Sequence, residues 1–251
     1  MQNHNLTQRE LRRYGKQIML PEIGIKGQTK IRNSSVLVIG AGGLGCPVLQ
    51  YLAAAGIGRL GIVEFDTVAE TNLQRQVLYG TLDVGKLKSI IVRDRLEHLN
   101  NHVNLEIKNL KLDGSNARAI FEDYDVIVDA TDNYEARYVI SDTCASLGKP
   151  MVHGSIYKYE GAVSVFNYRG GPSYRSFNPG NQGKEKDPKP SEAGLFGVVP
   201  GITGTLMANE VIKIITGIGE VLSGKVLLFN SNLNSFRYIT IKSDPRNEDS
   251  H

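Results

Sequence analysis

Arg75, Lys88, Asn72 and Asp132 are the residues of this 251-residue chain whose types and spacing suggest work on a phosphorylated substrate. Arg75 and Lys88 can each neutralise phosphate oxygens, Arg through a planar fork and Lys as a point charge. Asn72 donates a hydrogen bond without adding charge, and Asp132 at a strand end can hold a magnesium ion that also binds phosphate. Taken singly, each is more often a surface group than a ligand. Clustered around one sheet edge, they point to a triphosphate. An NAD-dependent oxidoreductase stays open as an alternative, but it gives no reason for the polar string Thr71-Asn72-Leu73-Gln74-Arg75-Gln76.

These side chains need a frame, and the stretch Ser35 to Gly45 supplies its first part. Val36 to Ile39 is a continuous aliphatic run, which suits a strand covered on both faces in a parallel sheet. Gly40, Gly42 and Gly45 follow with G-x-G-x-x-G spacing, which lets phosphate oxygens reach backbone N–H groups at the positive end of a helix. A helix over Val48 to Ala55 and a strand over Arg59 to Glu64 complete a βαβ unit. Glu64 stands about 20 residues beyond the turn, where an acid can accept hydrogen bonds from ribose hydroxyls.

The alternation continues. Lys86 to Leu99 reads as a helix, Val103 to Ile107 as a strand, and Ser115 as the cap of a helix reaching Glu122. Tyr124 to Ala130 is another buried strand, with Thr131-Asp132-Asn133 at the edge where open α/β sheets place ligands. A helix over Asn133 to Leu147 and a strand over Pro150 to Gly154 come next. Gly161 to Phe166 then alternates with period two, and Lys225 to Phe229 and Phe236 to Ile241 also read as strands, so antiparallel pairing follows the parallel half. Ile202 to Thr216 is helical. The polar loop Tyr168 to Ala193 is too long for a passive connection and is expected to be mobile or to cover a site. Before the first strand, Thr7-Gln8-Arg9-Glu10 is a capping box opening a helix through Leu11, Tyr14 and Ile18. The tail, Asp244 to His251, is expected to fray.

The expected fold is a single α/β domain over residues 1–251 with a helical arm at 1–30. It has a Rossmann-like mixed sheet, parallel in its N-terminal half and antiparallel in its C-terminal strands, with helices on both faces. A formal charge of +3, from 29 basic and 26 acidic residues with no basic block, disfavours nucleic acid. Two cysteines are too few for a disulfide framework, no apolar run is read as membrane-spanning, and no signal-like start is seen. Cytoplasm is the expected compartment.

The motifs R-Y-x-x-Q-I at Arg13 to Ile18, G-A-G-G-L-G at Gly40 to Gly45, N-L-Q-R-Q at Asn72 to Gln76 and D-A-T-D-N at Asp129 to Asn133 resemble the MoeB/ThiF/HesA family of ubiquitin-activating, E1-like enzymes. Glu192-Ala193-Gly194 and the helix from Gly201 to Lys213 extend the resemblance. It implies ATP-dependent, Mg²⁺-assisted adenylation of the C-terminal glycine of a small β-grasp sulfur carrier ending in Gly-Gly, of the MoaD or ThiS type. It also implies a homodimer and a separate sulfur donor. Gly43 would lie on the adenosine and phosphate loop, Glu64 on ribose, Asn72, Arg75 and Lys88 on phosphates, and Asp132 on magnesium. Asp66, Gln74 and Asn133 would complete the nucleotide set, and the late strands would form part of the carrier's docking face.

Some positions depart from the family pattern. Lys16 stands where Arg usually reaches the neighbouring subunit's ATP, keeping the charge without the fork. Glu64 stands where Asp is usual. The positions of two zinc-binding C-x-x-C pairs read Ser173 to Ser176 and Asn247 to Ser250, so no structural zinc is expected. Pro190 and Ser191 occupy the stretch where some relatives carry a Cys, which argues against a covalent sulfur intermediate there. Cys46, Cys144 and His153 are expected to be structural. The lost zinc ligands and Lys16 also keep open a non-catalytic subunit that binds the carrier without activating it.

Overall fold

The computed structural model describes residues 6–180 and 194–241. Strand β1 (Ser35–Ile39) lies between two parallel neighbours, β2 (Arg59–Val63) and β4 (Val126–Asp129). Beyond β2 comes β3 (Asn104–Lys108), and beyond β4 comes β5 (Met151–Tyr157), both parallel. Then β6 (Glu160–Phe166), β7 (Lys225–Asn230) and β8 (Ser235–Thr240) pair antiparallel, giving one eight-stranded sheet ordered β3-β2-β1-β4-β5-β6-β7-β8.

Alternation within β1 explains the layers. Val36 and Val38 enter one apolar core and Leu37 and Ile39 another, as the two-residue period of a strand requires. The first core packs α4 (Gly45–Ala55), α5 (Lys88–Leu99) and α9 (Val198–Thr216), and the second packs α6 (Ala117–Phe121) and α7 (Tyr134–Ser146). The expected mixed sheet with helices on both faces is what the chain forms.

Several local expectations need correction. The arm is not one helix but two short ones, α1 (Gln8–Arg13) and α2 (Gly15–Ile18), separated at Tyr14, and the Thr7–Glu10 capping box is present. A third helix, α3 (Gly24–Asn33), was not expected, because Gly24 and Gly27 dilute its pattern. Ser115 does not cap α6. Its N–H and hydroxyl instead donate to Asp113 Oδ1, at 2.8 and 2.6 Å, forming a turn ahead of the helix. The loop from Tyr168 is packed over its first part, where a short helix α8 (Tyr174–Phe177) buries Tyr174 against Phe166 and His153. Its remainder, with Pro190, Ser191 and Glu192, lies outside the described residues, as do Asn247, Ser250 and the tail. Finally, α9 is 19 residues long and apolar enough to span a membrane by length and composition. Its apolar face packs against α4, β5 and β6, so that hydrophobicity belongs to the core.

The turn after β1 depends on two glycines for different reasons. Gly40 has φ +94°, and a Cβ there would lie 2.9 Å from the Ala130 carbonyl oxygen. A Cβ at Gly45 would lie 2.0 Å from the Gly40 carbonyl oxygen. Gly45→Ala is therefore expected to destabilise the protein by about 2–3 kcal/mol through overpacking against backbone, read as a lowered denaturant midpoint.

Candidate active site

The C-terminal ends of the parallel strands open into a cavity of ≈ 540 Å³. Its walls include Gly40, Gly42 and Gly43 after β1, Glu64 to Asp66 after β2, Leu112 and Asp113 beyond β3, Ala130 to Asn133 after β4, and Ile156 to Lys158 at the end of β5. This is where an open α/β sheet binds ligands.

Glu64 is 5 % exposed, and both its oxygens are engaged. Oε2 accepts from Ala41 N–H at 2.8 Å, and Oε1 accepts from the Phe65 and Asp66 N–H groups at 2.8 Å each. The carboxylate thus ties the end of β2 to the glycine turn. Tyr79 fixes the other side of Ala41, donating its hydroxyl to the carbonyl at 2.8 Å. With Ala41 held at both its N–H and its carbonyl, the N–H groups of Gly42 and Gly43 make no hydrogen bond among the described residues. A Cβ on Gly42 would meet only Gln76 Nε2, at 3.5 Å, so that position faces room that a ligand can use. Gly42→Ala is expected to leave stability unchanged and to weaken nucleotide binding about 10-fold, measured by calorimetric titration with ATP.

The cations are available. Lys88, the first residue of α5, is 4 % exposed and lines the cavity, with its ammonium 3.4 Å from Asp66. Arg75 also lines it, and among the described residues its side chain donates only to the Thr71 carbonyl, at 3.0 Å. Asp132 is an exposed lining residue whose carboxylate takes part in no hydrogen bond or ion pair among the described residues. An unengaged carboxylate lining the same cavity as two cations and open backbone N–H groups fits a magnesium-bearing triphosphate. Asn133 lines the cavity as well, although its Oδ1 caps α7 by accepting from Ala136 N–H at 2.9 Å.

Four of the expected residues stand apart from the lining. Asn72 closes a single 3₁₀ turn, Glu70–Asn72, and the Arg75 N–H donates to its carbonyl, so Asn72 shapes the strip that carries Arg75. Gln74 abuts Gly197 at the start of α9. Gly45 acts through packing, as described above. Lys16 lies on α2.

Other lining residues were not expected from the sequence as ligands, although Gln76 closes the N-L-Q-R-Q motif. Phe65, Leu112, Tyr157 and Leu195 add apolar surface, while Gln76, Lys111, Arg137 and Lys158 add polar groups. Arg137 could have been found only by placing it one turn into a helix that begins at the Asp132 turn.

That turn rests on a buried pair. Asp129 Oδ1 accepts from the Thr131 N–H and hydroxyl at 3.0 and 2.6 Å, and Oδ2 lies 2.7 Å from His153 Nδ1. Burial opposes ionisation of Asp129, but the His153 contact and the Arg137 charge outweigh it, so its pKa lies below the usual carboxylate range. Burial lowers the His153 pKa despite Asp129, leaving a neutral ring that donates Nδ1–H. Both folded-state pKa values lie below their unfolded values, so the unfolded chain binds more protons and stability falls on acidification. A first loss is expected as pH falls below the histidine reference of 6.5 and a second below the aspartate reference of 3.8. Denaturant midpoints measured against pH check this, and His153→Gln should abolish the first step. Cys46 is buried, donates to the Ala41 carbonyl at 3.4 Å and has its thiol pushed up to about 12, which makes it packing rather than a nucleophile. Cys144 is buried too, with its thiol pKa raised.

Comparison with known proteins decides the kinship. The ThiF family profile matches residues 14–250. The chain belongs to the ThiF family. It is 46 % identical over 245 residues to the "Sulfur carrier protein adenylyltransferase" of Thermus thermophilus, a match that covers 96 % of this chain and 90 % of that protein. It is 47 % identical to the "Probable molybdopterin-synthase adenylyltransferase" of Porphyra purpurea, covering 92 % of this chain and 61 % of that one. Among solved structures, PaaA aligns with TM-score 0.79 at 25 % identity, covering 96 % of this chain and 76 % of that one. E. coli MccB with ATP aligns with TM-score 0.81 at 22 % identity, covering 93 % and 72 %, and this shows that the ThiF chain shares its fold.

Proposed function

We propose that this protein is an adenylyltransferase that uses ATP to activate the C-terminal carboxylate of a small sulfur-carrier protein. The enzyme class rests on ThiF membership and on relatives at 43–47 % identity that are named adenylyltransferases. The observation that carries the reading is the conjunction in one cavity of open Gly42 and Gly43 N–H groups, Arg75, Lys88 and the unengaged Asp132.

The chemistry asks little proton transfer of the protein. A carboxylate oxygen attacks the α-phosphorus, the bond from that phosphorus to the bridging oxygen breaks, and its electron pair leaves on pyrophosphate. The task is to offset charge and align two anions. The glycine-turn N–H groups and the α4 dipole hold phosphate oxygens, with Lys88 and Arg75 neutralising charge around them. Glu64 Oε2, which accepts a single hydrogen bond, keeps one acceptor site for a ribose hydroxyl. Asp132 would hold magnesium, which supplies Lewis-acid polarisation of the phosphates.

The substrate is read as a MoaD- or ThiS-like β-grasp protein ending in Gly-Gly. All six residues of β8 are exposed, Phe236, Tyr238 and Ile239 among them, leaving a sheet edge with apolar side chains that suits a protein partner. A homodimer is part of the proposal. Lys16 stands outside the cavity lining, so its charge would serve a neighbouring copy's nucleotide, and Met19, Leu20 and Ile25 beside it are exposed apolar groups for the contact. Sulfur would come from a separate donor, without zinc in this chain. Arg75 and Lys88 favour a triphosphate over NAD, and their retention argues against a silent partner subunit.

The test is ATP–pyrophosphate exchange with Mg²⁺, with and without a carrier of the MoaD or ThiS type ending in Gly-Gly. Carrier-dependent exchange is the expected result. ATP binding without exchange on either carrier would overturn the reading.

A further inference from the structure

The strands at the cavity lie in the order β3, β2, β1, β4, β5, and residues beyond or at the C-terminal end of each line it. Four inter-strand steps of about 4.8 Å make the opening roughly 19 Å wide. Residues suited to a nucleotide occupy the β3 to β1 side, with Leu112, Phe65, Glu64 and the glycine turn in sequence. Asp132, after β4, marks the boundary. The remaining width belongs to the β4 to β5 side, where Arg137 and Tyr157 line the wall.

Arg137 is the anomaly on that side. It is 5 % exposed, yet among the described residues it forms no ion pair. One terminal nitrogen donates to the Thr131 carbonyl at 3.2 Å, and the guanidinium carbon stands 5.2 Å from the Tyr134 ring centroid. Its Nε is buried without an acceptor among the described residues. Asp129 cannot serve as its partner, because that carboxylate is taken up by Thr131 and His153. A buried guanidinium that feels Asp129 only at a distance, with no direct ion pair among the described residues, is costly, and its fork matches a planar two-oxygen anion.

We propose that Arg137 receives the carboxylate of the incoming acyl substrate, pairing with it on the far side of Asp132 from the nucleotide. One carboxylate oxygen is held by the guanidinium and becomes the carbonyl oxygen of the acyl-adenylate, while the other is left to form the bond to phosphorus. The inference rests on the adenylation reading above and deepens it by naming the acyl subsite.

The experiment compares a Gly-Gly carrier as free acid with the same carrier as C-terminal amide, in equilibrium binding to the full chain with a non-hydrolysable ATP analogue. Wild type and Arg137→Gln are compared, and thermal melting establishes that the variant is folded. Wild type is expected to prefer the acid by about 30-fold and Arg137→Gln by less than about 3-fold, with affinity for the ATP analogue within about 2-fold of wild type. Arg137→Lys should recover part of the preference if the variant Arg137→Gln is unstable. Equal preferences in wild type and variant overturn the inference alone. Weaker binding of the ATP analogue with the acid preference intact also overturns it and makes Arg137 a phosphate ligand. A wild type that binds the analogue but neither carrier overturns both the adenylation reading and the inference.

Discussion

Asp132→Ala should lower carrier-dependent ATP–pyrophosphate exchange by about 10³-fold, with the denaturant midpoint unchanged. The two halves of this expectation have separate grounds. Stability is spared because the Asp132 side chain makes no hydrogen bond or ion pair among the described residues, and the turn beneath it is held by Asp129 and His153. Activity is not spared because this carboxylate would hold the metal that polarises the phosphates during displacement. Asp132→Asn, which keeps size and loses charge, should fall nearly as far. An Asp132→Ala enzyme with undiminished exchange would remove magnesium binding from this residue.

The second large effect concerns Lys88. Lys88→Ala should raise KM for ATP and lower kcat/KM by about 10²-fold, measured by the same exchange at varied ATP. Lys88 is 4 % exposed, so its charge is screened by water less than that of a surface lysine, and each charge–phosphate contact is correspondingly stronger. Its removal also leaves Asp66, 3.4 Å away in the parent, as an unneutralised negative charge at the phosphate end. Because that carboxylate side chain is 55 % exposed, it can be rehydrated, and the fold should survive. Lys88→Arg should retain most of the binding if charge dominates. A stability loss without a change in KM for ATP would make Lys88 a structural partner of Asp66.

How far the sequence could be read depended on whether the controlling force was local. The aliphatic run at Val36 to Ile39, the glycine turn and the acid closing β2 are dictated by short-range pattern, and the structure brings Gly42, Glu64, Arg75, Lys88 and Asp132 around one cavity. Boundaries moved by a few residues, as with α4, which begins at Gly45 because Pro47 is tolerated in a first turn. What escaped was decided by tertiary contacts. The helix Tyr174–Phe177 exists in a polar stretch because Tyr174 finds an aromatic niche with Phe166 and His153. Lys158, in a left-handed conformation at φ +51°, reaches the cavity only because β5 runs four residues past the end of its pairing with β4. Lys158 also bridges to Leu195 beyond the undescribed segment. Arg137 is invisible in one dimension because an arginine in a helix has a solvated place by default, and only the topology turns it inward.

The sheet is unevenly armoured. β1 is sandwiched between two cores, whereas every residue of β8 meets solvent. Amide hydrogens should therefore exchange with solvent deuterium slowest at Val36 to Ile39 and fastest along Ser235 to Thr240, tracing a gradient of local opening across a single sheet. A partner that seats on β8 would quench breathing at the loose end and leave the glycine turn, already rigid, at its resting geometry.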